Sequence, residues 1–145
     1  MINISNIDEA RKHIQQLKKE NKKVIVVAKD DEFNRKILEN KDVDMILGLE
    51  LYRKDKLKQR DSGLNEYLCK LAKENNIEIA IDLEKIKNLP EKEKAETLSR
   101  IIQNIELCKR TKTKIVLLNN NKKQDIISFF LTFKGSTEQA KLSLI

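Results

Sequence analysis

The sequence predicts an α/β protein built from parallel strand–helix repeats. Short apolar runs alternate with longer amphipathic ones along the whole chain. Two of those runs, Val24-Ile25-Val26-Val27-Ala28 and Ile115-Val116-Leu117-Leu118, are continuous and rich in β-branched residues. That composition belongs to strands covered on both faces. The segments between the runs are long enough for helical crossovers, which join parallel strands.

The elements follow in order. Strands are expected at Ile2–Ile4, Val24–Ala28, Val43–Leu47, Ile77–Ile81 and Ile115–Leu118. Helices are expected at Ile7–Glu20, Asp31–Asn40, Ser62–Asn75, Pro90–Arg110 and Lys122–Lys134, with a short one after Gly135. Ser62 reads as an N-cap, ahead of an apolar face of Leu64, Leu68, Leu71 and Ala72. Pro90 suits a first turn because no hydrogen bond is lost there, and Glu91 and Glu93 complement the positive end of the helix dipole. Leu98, Ile101, Ile102, Ile105 and Cys108 then recur at three- and four-residue spacing. Gly135 can close the preceding helix in the left-handed conformation, and Ser136-Thr137-Glu138-Gln139 reads as a capping box opening the next.

With 145 residues, 3 Gly and 1 Pro, the chain has little room for linkers, so residues 1–145 are expected to form a single domain. Periodicity alone points to a five-stranded open doubly wound sheet. A closed eightfold barrel usually needs about 200 residues or more.

Composition narrows the function classes. Thirty Lys and Arg against 23 Asp and Glu give a formal charge of +7, which favours an anionic partner. No apolar run reaches the roughly 18 residues of a membrane span. Polar Asn3, Ser5, Asn6 and Asp8 interrupt any signal-peptide pattern, so a cytosolic protein is expected. Cys69 and Cys108 are solitary and fall on helical faces, as small buried hydrophobes do.

No catalytic constellation is legible. At the predicted carboxyl ends of the strands stand Lys29 and Asp30, Gly48 and Glu50, Asp82 and Glu84, and Asn119 to Asn121. Asp30 and Asp82 could share a metal or work as an acid–base pair, the basis of an alternative reading as a small metal-dependent α/β hydrolase. A histidine-rich metal site is not available, because the single histidine, His13, lies in the first helix away from that end. Gly-rich phosphate loops and a Gly-x-Ser-x-Gly elbow are absent. No catalytic residue, metal or cofactor is therefore expected. A second alternative is a generic interaction module that uses an open sheet edge.

Basic residues gather in three places: Lys18, Lys19, Lys22 and Lys23; the loop from Arg53 to Arg60; and Lys109, Arg110, Lys112 and Lys114. The first and third sit at predicted strand amino ends, beside helix C-termini where the dipole favours cations anyway. The loop does not read as helical. It carries Arg53, Lys54, Lys56, Lys58 and Arg60, and its charge has no evident structural use. Aromatics are scarce, with 2 Tyr, 4 Phe and no Trp, so phosphate and shape contacts should dominate over base stacking. Tyr52 alone directly flanks the loop; it could stack on a base, but packing is its expected role.

An ordered set of residues resembles the archaeal ribonuclease P protein component 3 family. It comprises Val43-Asp44-Met45-Ile46-Leu47, the basic loop, Ser62-Gly63-Leu64-Asn65, Ala72, and Ile77-Glu78-Ile79-Ala80-Ile81-Asp82-Leu83. It continues through Leu98-Ser99-Arg100, Asn104, Ile115-Val116-Leu117-Leu118, Asp125-Ile126-Ile127, Gly135 and Ala140-Lys141. The resemblance implies a fold of the TIM-barrel type. This chain lacks what corresponds to the family's first two strand–helix units, so the barrel is expected to be shortened or incomplete, with a partner covering its exposed edge. Asn119-Asn120-Asn121 replaces the family's small-residue pair, and Lys122 and Lys123 stand near where the family carries an arginine.

The resemblance further implies a protein subunit of ribonuclease P, whose RNA cleaves the 5′ leader of precursor tRNA. Such a subunit binds that RNA together with a second small protein subunit and contributes no catalytic group. Arg53, Lys54, Lys56, Lys58, Arg60 and Arg100 are the candidate phosphate contacts, Arg100 entering through the helical arginine the family carries.

Overall fold

The computed structural model describes residues 1–120 and 122–144. Four parallel strands, β1 (Ile25–Val27), β2 (Met45–Leu47), β3 (Glu78–Asp82) and β4 (Ile115–Leu118), form one sheet in the order β1-β2-β3-β4. Seven helices accompany them among the described residues: α1 (Ile7–Lys19), α2 (Asp31–Leu38), α3 (Glu66–Glu74), α4 (Leu83–Lys87), α5 (Glu91–Thr111), α6 (Lys123–Thr132) and α7 (Thr137–Ser143).

The strand order decides between the two predicted architectures. A doubly wound sheet reverses direction at a switch point. Here the order never reverses, and right-handed crossovers then carry every connecting helix to the same side. The side chains agree. Val26, Ile46, Ile79 and Ile115 lie in register and pack against apolar residues of α1, α2, α3, α5, α6 and α7. The opposite face carries a separate cluster of strand residues alone: Met45, Leu47, Ala80 and Val116, with Ile25 and Leu118 beside them. The five-stranded doubly wound alternative is thereby overturned. The fold is the shortened series of parallel strand–helix units, and its sheet is open.

Both edges of that sheet are partly capped by the chain itself. The predicted first strand is reduced to one bridge, in which Ile2 N–H donates to the Ile25 carbonyl (2.7 Å) and Ile2 O accepts from Val27 N–H (2.8 Å). At the other edge, Leu117 N–H donates to Ser143 Oγ of α7 (3.3 Å).

Several helix starts differ from expectation for identifiable reasons. Asn65, not Ser62, caps α3: its side chain accepts from Leu68 N–H, while Ser62 is buried and exchanges hydrogen bonds with Leu64. Pro90 is the N-cap of α5 rather than its first residue. The short helix α4 was not foreseen. Asp82 caps it by accepting from the Glu84 and Lys85 N–H groups, a signal present in the sequence as an aspartate before Leu-Glu-Lys. At the end of α6 the left-handed residue is Lys134 (φ 62°), one before Gly135. The capping box on α7 is present as expected, with Ser136 and Gln139 bonded reciprocally. Asn121 lies outside the described residues. No helix among the described residues is long and apolar enough to cross a membrane.

Candidate nucleic-acid interface

The basic segment after β2 is an ordered hairpin held against α5. It begins at a tight turn where Gly48 has φ +81°, and Tyr52 follows with φ 55°. Its tip is closed by two backbone hydrogen bonds, Lys56 N–H to the Gln59 carbonyl (2.9 Å) and Gln59 N–H to the Lys56 carbonyl (3.2 Å). Leu57 and Lys58 stand at that tip. Leu57 is 103% exposed, in a chain whose other leucines pack inward or lie partly covered.

Three residues on one stripe of α5, four apart, hold the hairpin. The Glu96 carbonyl accepts from Arg60 Nη1 (3.4 Å), Arg100 reaches Asp55, and Asn104 Nδ2 donates to the Ser62 carbonyl (3.0 Å). Arg100 also donates through Nη2 to the Arg53 carbonyl (3.1 Å), and its side chain is 4% exposed. Asp55 is held below the usual carboxylate range, first by the Asp61 N–H and then, against its own desolvation, by Arg100.

Arg53 makes a second brace inside the loop. Its Nη2 pairs with Asp31 at the start of α2 and with Asp61 (3.1 Å), and Nη1 approaches the Leu49 carbonyl (3.5 Å). Burial alone would lower the guanidinium pKa; the hydrogen bonds to Asp61 and Asp31 outweigh it, so the charge is kept more firmly than in water. Asp61 is depressed for the complementary reason, its desolvation being outweighed by Arg53 and the Gly63 N–H.

The six candidate cations therefore divide. Arg53 and Arg100 are largely buried (side chains 10% and 4% exposed) and are engaged by carboxylates and carbonyls of the chain itself. Within the loop, the charge of Arg53 does have a structural use. Arg60 is intermediate: its side chain is 39% exposed and lies 3.7 Å from Asp55. Lys54, Lys56 and Lys58 are exposed and join no ion pair among the described residues. The basic clusters at the strand amino ends are paired only in part, with Lys19, Lys109, Arg110 and Lys112 in no ion pair among the described residues. Lys18 pairs with Asp44 (3.3 Å), and Lys23 and Lys114 with Glu78 (3.6 and 2.8 Å).

Two clefts flank the hairpin. A cleft of about 690 Å³ lies over the carboxyl ends of β1 and β2, lined by Lys29, Asp30, Tyr52, Lys54 and Lys85 among others. A groove of about 470 Å³ separates the hairpin from the first turn of α3, lined by Lys56, Arg60, Tyr67 and Gln103. Tyr52 is 83% exposed and Tyr67 60%, so the packing role expected of Tyr52 is not what its ring performs. Sequence reading missed Tyr67. Its place in the first turn of α3, off the Leu64–Leu68–Leu71 stripe, was the available signal.

The carboxylates proposed for a hydrolase are engaged elsewhere. Asp30 accepts from Phe33 N–H as the cap of α2 (2.8 Å), and Asp82 caps α4 while accepting from Asn119 Nδ2 (2.9 Å). Glu50 is fully buried with both carboxylate oxygens unpartnered, and burial raises its pKa to about 7. Cys69 and Cys108 are buried and unbridged between α3 and α5.

No family model matches the chain, and no curated protein matches it. Among solved structures, the chain is similar to a chain of the cryo-EM structure of archaeal ribonuclease P with mature tRNA, at 21% sequence identity and a TM-score of 0.81. The likeness extends over 99% of this chain and 62% of that one, so the present chain spans about three-fifths of that relative's length. At this identity the likeness establishes a shared fold.

Proposed function

We propose that this chain is an RNA-binding protein subunit of a ribonuclease P-type ribonucleoprotein. In this reading it binds the catalytic RNA in the cytosol, beside a second small protein subunit, and supports 5′-leader cleavage of precursor tRNA. The RNA performs the chemistry, and the chain contributes no catalytic group.

One observation carries the reading: a hairpin braced by partly buried ion pairs that presents Lys54, Lys56 and Lys58 to solvent without ion-pair partners among the described residues. Fixing cations in place before binding lowers the ordering cost of meeting a phosphate backbone. The shared fold with a chain of a tRNA-bound ribonuclease P supports the choice of RNA over other polyanions. The hydrolase alternative has less support, because Asp30 and Asp82 are each occupied as helix caps.

The deciding experiment is binding to ribonuclease P RNA across a salt titration, followed by reconstitution with the RNA and the second subunit, scored for precursor tRNA cleavage. The reading requires affinity that falls steeply with salt and exceeds that for unrelated RNA. Salt-insensitive binding, or no gain in cleavage on adding the chain, removes it.

A further inference from the structure

We propose that the groove between the hairpin and α3 receives a single unpaired nucleotide, its base stacked on Tyr67 and its phosphates met by Lys56 and Arg60. This rests on the RNA-binding reading and deepens it, from backbone contact to recognition of an unstacked base.

The groove's volume, about 470 Å³, falls within the roughly 300 to 1,000 Å³ of sites that hold small ligands. Its walls combine three chemistries. Tyr67 offers an aromatic face that is 60% exposed, on a helix anchored by its buried Cys69 and Ala72. Gln103 of α5 supplies an amide that can both donate to and accept from a base edge. Lys56 brings a cation with no ion-pair partner among the described residues, and Arg60 one that is only loosely held.

Charge within the groove also favours an anion. Arg53 is shared between Asp31 and Asp61, and Lys70 pairs with Glu66 (2.8 Å), which leaves the charge of one carboxylate against the two cations Lys56 and Arg60. The cations around the hairpin therefore set the local sign. A paired duplex cannot place a base against Tyr67, because its bases are stacked inside the helix. Bulged or looped nucleotides can, and base–aromatic stacking tolerates any base.

The test compares two short RNA hairpins with equal numbers of phosphates, one fully paired in its stem and one with a single bulged nucleotide. Wild-type chain should bind the bulged RNA roughly tenfold more tightly at matched salt. In Tyr67→Ala that preference should fall below about twofold, while Tyr67→Phe keeps it and the salt dependence of both variants stays that of wild type. Tyr67 is exposed, so neither variant disturbs the core. Equal wild-type affinity for the two RNAs overturns the proposal and leaves Tyr67 to a protein partner. Survival of the preference in Tyr67→Ala overturns it as well. Salt-insensitive binding to both RNAs defeats the underlying RNA-binding reading instead, so the two failures are distinguishable.

Discussion

Arg100 and Asp55 lie 45 residues apart in sequence, yet the guanidinium Nη2 and Nε sit 3.1 and 3.3 Å from one carboxylate oxygen. The pair joins the middle of α5 to the basic hairpin after β2. Because the same guanidinium also donates to the Arg53 carbonyl, one side chain fixes both the loop's entry and its turn. Removing it takes a donor from the partly buried Arg53 carbonyl and leaves Asp55 with only the Asp61 N–H and the looser Arg60 contact. Arg100→Ala should lower the melting temperature by about 5 °C and speed proteolytic cleavage between Arg53 and Arg60. An unchanged cleavage pattern would mean that the hairpin holds itself without α5.

The lysines at the tip should behave in the opposite way. Lys54, Lys56 and Lys58 contribute little to the fold, since they are exposed and unpaired among the described residues. Changing all three to Ala should leave the melting temperature within a few degrees of wild type. Every phosphate that a cation no longer neutralises reduces the slope of log affinity against log salt by about 0.7 to 0.9. With three such cations removed, the triple variant should bind RNA with a slope shallower by about 2. A slope equal to that of wild type would place the RNA elsewhere on the surface.

That division of labour marks what the sequence could reveal. The apolar runs Val24–Ala28 and Ile115–Leu118 announced their strands, because covered strands need hydrophobic side chains on both faces. The basicity of residues 53–60 was equally plain. Which cations were free was not, since it depends on Asp31, Asp61 and Asp55 meeting Arg53 and Arg100 through the folded chain. The unbroken strand order was likewise hidden from periodicity, because a strand–helix repeat looks the same whether the next strand is added to one edge or the other. The groove facing Tyr67 exists only once the hairpin is folded against α5.

Glycine usage around the loop yields a paired prediction. Gly63 has φ +82°, and a Cβ there would stand 2.4 Å from the Leu49 carbonyl oxygen, a backbone atom that cannot step aside. Gly48 has almost the same φ, +81°, but its Cβ would meet only the end of the Leu51 side chain at 3.2 Å. Gly63→Ala should thus cost about 3 kcal/mol or more, and Gly48→Ala about 1 kcal/mol, as denaturant unfolding would measure. Equal costs at the two positions would show that left-handed strain alone, and not the carbonyl clash, sets the penalty.

Glu50 gives the fold a pH dependence of unusual sign. Burial is the main reason its pKa rises from an ordinary value near 4.5 to about 7; Asp82 adds to the rise, while Lys85 and the residue's own backbone N–H oppose it. The folded state therefore holds a proton that the unfolded chain releases at lower pH. The stability from this group is complete below about pH 4.5 and is lost progressively as pH rises through 7. A displacement of that size corresponds to about 3 kcal/mol at alkaline pH. Asp55 and Asp61, whose pKa values are depressed, oppose it by losing their contribution as pH falls. The Glu50→Gln variant separates the two effects, since its amide resembles the protonated acid in shape and charge. Its unfolding free energy should match that of wild type near pH 5 and exceed it near pH 8. A difference independent of pH would mean that Glu50 meets water or a counter-ion in solution, and that the carboxyl end of β2 opens to solvent.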